Sequence, residues 1–177
     1  MPMPDGIVTA AGRGDRRAFA ALVEMEATTA YRLAFAILGS HADAEDAAQD
    51  AFIRAWRDLP SLRDPSRWPA WFRRLVVRSA LDRARRRRRR AEISLDPADG
   101  GAFEPHGPDA FGPVAFRDEL LQALAGLSAD DRAVIGLRFG ADLEVPDVAA
   151  ALGIPLGTAK SRLHRAIARL RVRLEPD

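Results

Sequence analysis

The chain has 177 residues, 47% hydrophobic and 29% charged, with 27 Lys and Arg against 25 Asp and Glu for a net charge of +2. That length allows one domain of ordinary size or two small ones, and no run of about 18 apolar residues could span a membrane. The absence of cysteine excludes disulfides, thiolate catalysis and cysteine-based zinc sites. The amino terminus, MPMPDGIVTAAGRGD, lacks a basic start followed by an apolar core, so no secretion signal is expected and the chain is read as cytoplasmic.

Charge is unevenly spread. Residues 1–90 hold 18 basic and 11 acidic side chains, a balance of +7. Residues 91–119 hold one basic and seven acidic, a balance of −6, and residues 120–177 come to +1 with the basic ones gathered toward the end. Two basic blocks joined by an acidic connector is a pattern that calls for an explanation.

In chain order, Asp15 to Leu38 reads as one or two helices, since Phe19, Leu22, Val23, Tyr31, Ala34, Phe35 and Leu38 recur at three- and four-residue steps. Gly39 ends that run, and Ser40 or Asp43 can cap the next helix. Ala42 to Leu59 is strongly amphipathic, with Ala44, Ala48, Phe52, Ala55, Trp56 and Leu59 as the expected buried stripe. Asp43, Asp46, Asp50, Arg54 and Arg57 fall on the far side, with Gln49 at the border. Carboxylates near a helix start complement the helix dipole, and no histidine stands at ligand spacing from them, so no metal and no cofactor are expected.

Pro60 ends that helix, and SLRDPSRWP reads as an ordered loop. A further helix, AWFRRLVVRSALDRARRRRRR, is expected to turn Trp71, Leu75, Val76 and Leu81 to a core and Arg73, Arg74, Arg78 and Arg83 outward. Aromatics that stack on unpaired bases, beside cations that follow phosphates, make a single-strand-binding surface. Trp68, Trp71 and Phe72 are the aromatics available; core packing is the better reading for Trp71, while Trp68 is open to either. Residues 91–113, rich in Pro, Gly, Asp and Ala, read as a linker.

Helical pattern resumes at Phe116, and Ser128 can cap a helix over Asp130 to Phe139. Two short helices then follow: one from Val145 to Leu152 with Pro146 in its first turn, and, after Gly153, one from about Leu156 to the end. Ala159, Leu163, Ala166, Ile167, Leu170 and Leu174 stripe one side of the last helix. From Leu156 to Leu174 there are six Lys and Arg residues and no acidic one. Helix, glycine turn and a helix with a one-signed outer face is a helix-turn-helix, whose second helix reads base edges in the major groove. The predicted fold is therefore all-α, with small helical domains at 10–90 and 115–177 and a flexible acidic linker at 91–114.

DAEDAAQDAFIRAW, AWFRRLVVRSALDRARRRRRR, LSADDRAVIGLRF and LGIPLGTAKSRLHRAIARL together resemble a bacterial extracytoplasmic-function sigma factor of the sigma-70 family. The likeness covers both predicted domains, in order. It implies a non-enzymatic protein that binds core RNA polymerase, at the coiled coil of the largest subunit and at the flap, and directs it to promoter DNA. It also implies that an anti-sigma factor is a common further partner.

Position by position, Asp46, Gln49, Asp50 and Arg54 match the polymerase-binding helix. Ser61, Arg63, Asp64, Arg67 and Trp68 match the loop that receives a flipped minus-ten base, and Arg74 and Arg78 the helix that grips the melted strand. Thr158, Lys160, Ser161, Arg162, His164 and Arg165 match the segment that reads or clamps the minus-thirty-five element. Arg73 and Arg78 stand where the family more often has tyrosine and asparagine. Three other readings stay open. One is a free-standing helix-turn-helix regulator. Another is a metal-dependent nuclease built on Asp43, Glu45, Asp46 and Asp50, and the third is attraction of Arg85 to Arg90 to an anionic membrane.

Overall fold

The computed structural model describes residues 5–93 and 114–174, and every regular element among them is helical. They are α1 (Asp5–Gly12), α2 (Arg16–Leu38), α3 (His41–Asp58), α4 (Trp68–Ile93), α5 (Val114–Ala125), α6 (Ala129–Ile135), α7 (Val145–Leu152) and α8 (Leu156–Leu174). Short 3-10 turns at Leu59–Ser61 and Pro65–Arg67 join α3 to α4, and a π-helical segment, Gly136–Gly140, extends α6. Most of the expected acidic linker lies outside the described residues; α4 itself continues to Ile93.

Local chemistry explains the boundaries. The Asp15 carboxylate caps α2, accepting from the backbone N–H of Arg17 at 2.8 Å and of Ala18 at 3.2 Å. Gly39 closes α2 in the left-handed region with φ of 68°, and Gly153 closes α7 with φ of 65°, a conformation glycine adopts without a Cβ clash. Ser40, rather than Asp43, caps α3. Ser128 caps α6, its hydroxyl accepting from the Asp131 N–H at 3.1 Å. Glu144 precedes α7 without a side-chain bond to it, so Pro146 in the first turn leaves one fewer N–H to satisfy there.

Three expectations are corrected. Helix α1, eight residues that bury Val8 and Ala11 against the rest of the core, had no counterpart among the expected elements. The buried stripe of α3 runs through Ala44, Ala47, Ala48, Ala51 and Ala55, whereas Trp56 is 38% exposed. The alanine stripe faces the core, and Trp56 lies beside it against Phe19 of α2. The third concerns Trp68, open to either reading from the sequence and matched to the base-receiving loop, whereas Trp71 packs against the core as expected. Trp68 is fully buried and Trp71 half-buried, because α4 begins at Trp68 and directs it into the core.

The core does not divide at the linker. Leu121, Ala133, Val134, Leu137, Val148 and Ala151 from α5 to α7 belong to the same buried cluster as Leu22, Phe35, Phe72 and Val76 from α2 and α4. A smaller cluster, Leu124, Leu127 and Ala166, ties α5 to α8. Each fully buried Leu or Val contributes about 1.5–3 kcal/mol, so the larger seam carries most of the apolar stabilisation of the carboxy-terminal helices.

Candidate nucleic-acid and protein interfaces

The carboxy-terminal surface that the sequence singles out for DNA is the outer face of α8. Gly153 turns the chain, and α8 starts after Pro155, whose carbonyl accepts from the Ala159 N–H at 3.0 Å. Ala159 and Ala166 are buried beneath, so Lys160, Ser161, His164 and Arg165 are exposed above them while Thr158 is half-buried. Arg162 departs from the expected set. Its guanidinium lies 3.4 Å from the Asp130 carboxylate and its side chain is only 24% exposed, so it braces α8 on α6. Two turns further on, Arg169 does the same with Asp131 at 3.0 Å.

The second surface surrounds the start of α4. Ser61, Arg63, Asp64 and Arg67 lie in the connecting turns, where Ser61, Arg63 and Arg67 are exposed. Asp64 holds the turn together: its carboxylate accepts from the Ser66 hydroxyl at 2.6 Å and N–H at 3.1 Å, and these bonds keep it below the usual carboxylate range. Trp68, expected to meet a base, has no exposed face. Its ring stacks on Phe72 at 5.1 Å and 6° and leans on Trp71 at 5.6 Å. Helical spacing puts Arg67, Trp71, Arg74 and Arg78 at steps of four, three and four, one continuous stripe. Arg67 and Arg78 are exposed and Trp71 and Arg74 half-buried. A cationic stripe therefore runs along α4, with the half-buried Trp71 at its edge.

Beneath that stripe, Glu26 of α2 is buried. Burial raises its carboxyl above the usual value, and Arg73 and the Trp68 indole pull the other way. The geometry falls short of a hydrogen bond, since Trp68 Nε1 and Arg73 Nε are both buried with no well-formed partner.

The third surface is on α3, and its two edges differ. Along one edge, Arg83 of α4 bonds Asp43 at 2.7 Å and also Asp46, Arg87 reaches Asp43 at 3.3 Å, and Arg54 lies 3.5 Å from Asp82. Asp46 and Arg54 are thus engaged with α4, and Asp50 beside them is half-buried. Much of the acidic group of the nuclease reading is bound up in the same network, and no metal-holding cluster occurs among the described residues. Gln49 faces the other edge, an apolar groove of about 540 Å³ between α2 and α3 lined by Phe19, Val23, Phe52, Ile53 and Trp56. Ile53 is 63% exposed, and Trp56 meets Phe19 edge-on at 5.0 Å. Sequence reasoning missed Ile53. Its signal was an isoleucine on the polar side of an amphipathic helix, where nothing within the chain needs it.

Among the described residues no helix is long and apolar enough to cross a membrane. The families described as Sigma-70 region 2 and Sigma-70, region 4 match residues 22–90 and 123–172. The ECF RNA polymerase sigma factor SigW of Bacillus subtilis is 28% identical over 92% of this chain and 91% of its own length. The ECF RNA polymerase sigma factor SigL of Mycobacterium tuberculosis is 32% identical over 95% of each. Among solved structures, the co-crystal structure of the sigma factor RpoE with the anti-sigma factor NepR from Bartonella quintana superposes with a TM-score of 0.73. The match has 29% identity and covers 90% of this chain and 98% of that one. CnrH in complex with the cytosolic domain of CnrY gives 0.67, at 26% identity and 96% coverage of both. A free-standing regulator would account for the second matched region and leave the first without a purpose. Relatives of this kind align nearly end to end and across both regions, and the chain belongs to the extracytoplasmic-function branch of the sigma-70 family of RNA polymerase sigma factors.

Proposed function

We propose that the three surfaces divide the work of transcription initiation, which the chain performs in the cytoplasm and without catalysing a reaction itself. The unit at 10–90 binds core polymerase and the minus-ten region, the unit at 115–177 reads the minus-thirty-five element, and residues 91–114 connect them. The groove beside Gln49, with Ile53 and Trp56, takes an apolar helical edge of the core enzyme, with Asp50 on its flank. Asp46 and Arg54 act indirectly, by holding α3 against α4. Ser61, Arg63, Arg67, Trp71, Arg74 and Arg78 meet the melted strand, with Asp64 fixing the turn and Trp68 supporting it from below. Thr158, Lys160, Ser161, His164 and Arg165 meet the minus-thirty-five duplex. An anti-sigma factor is a further partner, a reading supported by the similar sigma factor RpoE of Bartonella quintana, which is bound to the anti-sigma factor NepR.

The observation that carries this reading is the exposed Ile53 beside an apolar groove on a helix whose acidic edge is already paired. Such an apolar edge is the mark of a protein partner. Unstacking a base costs a few kcal/mol, offset by stacking in a protein site, so no catalytic group is required for opening. The test is binding of the purified chain to core polymerase, with Ile53→Asp and Asp50→Arg beside wild type. Loss of at least tenfold in affinity for Ile53→Asp, with the helical content unchanged, supports the assignment. Equal binding by all three proteins refutes it.

A further inference from the structure

Lys160 is chemically alone in this protein. Of the 27 Lys and Arg residues, 26 are arginine and Lys160 is the single lysine. A guanidinium stays charged at any ordinary pH and is a poor nucleophile, whereas a lysine amine can lose its proton and take an acyl group. The chain holds no cysteine either. A reagent that attacks side-chain amines or thiols therefore meets one residue, and that residue lies on the face of α8 assigned above to the minus-thirty-five duplex.

The surroundings leave that amine open. Lys160 stands one turn into α8, and the side chains of a helix lean back toward its amino-terminal end. Three residues back is Gly157, where nothing stands within 4 Å of the position a Cβ would take. Lys160 itself is exposed, while Ala159 beside it is buried. Helix α8 has no acidic residue of its own. Two carboxylates reach it from α6, and both are engaged, Asp130 with Arg162 and Asp131 with Arg169. Among the described residues Lys160 thus enters no ion pair. His164 and Arg165 follow on the same exposed side, and a cationic face of this kind concentrates small anions.

We propose that Lys160 is an acylation site, and that its modification weakens the carboxy-terminal DNA contact. The inference rests on the reading that α8 meets the duplex. The donor is an activated acyl group, carried by an anionic acyl phosphate or acyl thioester. The neutral amine attacks the carbonyl carbon and a C–N bond forms. The C–O bond to phosphate, or the C–S bond to the thiol, breaks and its electron pair leaves with the phosphate or thiolate. The surplus proton of the amine passes to water. The product is a neutral amide with one N–H donor in place of an ammonium with three. One phosphate contact adds about 0.9 to the slope of log affinity against log salt, which is roughly eightfold in affinity at ~0.1 M salt. The arginines of the face are untouched by this chemistry, so modification lowers promoter affinity by one contact and leaves the fold intact.

The probes are acetyl phosphate and acetyl-coenzyme A. Each is applied to the full chain, to its holoenzyme, and to the holoenzyme on a duplex taken from a fragment that the untreated holoenzyme transcribes. Peptide mass spectrometry should find the acetyl group on Lys160, at a rate within tenfold of an unstructured lysine peptide for at least one donor, and the faster donor identifies the source. The duplex should slow the modification at least tenfold. The acetylated holoenzyme should bind the duplex at least threefold more weakly, and Lys160→Gln should lose a similar factor. Treatment should not change the affinity of Lys160→Arg from its own untreated value. A Lys160 more than tenfold slower than the peptide with both donors, equal reaction with and without duplex, undiminished binding after acetylation, or the same loss in treated Lys160→Arg would each overturn the proposal. So would the absence of acylated Lys160 from the chain recovered from the cells that make it. Failure of the underlying reading looks different, since an untreated wild-type holoenzyme that neither binds duplex nor starts transcripts removes the DNA-binding role of α8 itself.

Discussion

Replacing the two neighbouring tryptophans of α4 one at a time separates support from DNA contact. Trp68 is fully enclosed and stacked on Phe72, so Trp68→Ala empties an aromatic volume from the core. Such truncations cost about 3–5 kcal/mol. For a chain of this size each kcal/mol lowers the melting midpoint by roughly 2–4 °C, which gives a fall of about 6–20 °C. Trp71 is half-buried, and Trp71→Ala should cost about 1–2 kcal/mol of stability. It should instead remove base stacking worth about 1–3 kcal/mol, roughly 5- to 150-fold in affinity for a minus-ten single strand. The assays are thermal unfolding followed by far-UV circular dichroism, and binding of a fluorescent minus-ten strand by the polymerase holoenzyme at a temperature where both variants are folded. The reasoning is refuted if Trp68→Ala melts with wild type yet loses the strand, or if Trp71→Ala binds the strand as wild type does.

On α8, Arg165→Ala should reduce the slope of log affinity against log salt for a minus-thirty-five duplex by about one. Arg162→Ala should leave that slope within error of wild type, because its partner is Asp130; equal changes in the two would show that the ion pair gives way on binding. Ile53→Asp should weaken core-polymerase binding at least tenfold in a pull-down while leaving the unfolding midpoint within about 2 °C, since the side chain is mostly exposed. The buried carboxyl gives a pH test. Glu26 is raised above its ordinary 4.5, so the native state holds its proton more tightly than the unfolded chain. Its contribution is complete below 4.5 and is lost as pH rises through the native value. The difference in urea midpoint between wild type and Glu26→Gln, measured from pH 4 to 8 (a range of roughly four units about that transition), should therefore move against wild type as pH rises. A flat difference would mean that Arg73 fully compensates for the burial.

Much of the scaffold was legible because it rests on local rules. The cap at Ser128, the stops at Gly39 and Gly153 and the bounds Val145–Leu152 all follow from residue chemistry within a turn or two. The basic face of α8 was legible for the same reason, since a 3.6-residue period sorts it without reference to anything else. What stayed hidden depended on neighbours distant in sequence. The partner of Arg162 is Asp130 on α6, and that of Asp46 is Arg83 on α4. The orientation of Trp68 follows from α4 starting at that residue, ahead of the Ala70 that its own pattern suggested. Helix α1 was missed because eight residues give too little periodicity to distinguish a helix from an apolar loop. Alanine defeated the stripe on α3: Ala47 and Ala51 could not be ranked against Phe52 and Trp56 by hydrophobicity alone, because close helix approach rewards small size instead.

The shared core also sets an order of events during synthesis. The amino-terminal helices α2 and α4 share one buried cluster with α5, α6 and α7, and Leu33 of α2 lies against Gly136. Ribosomes add roughly 5–20 residues per second and domains emerge amino-terminal first. The stretch from Leu81 to Ala151 therefore takes on the order of 4–14 s to appear. For that interval the nascent chain carries an uncovered apolar seam. Holdase chaperones would meet that seam first, and slow codons between α4 and α5 would lengthen its exposure, so the yield of folded protein should depend on translation speed across that stretch.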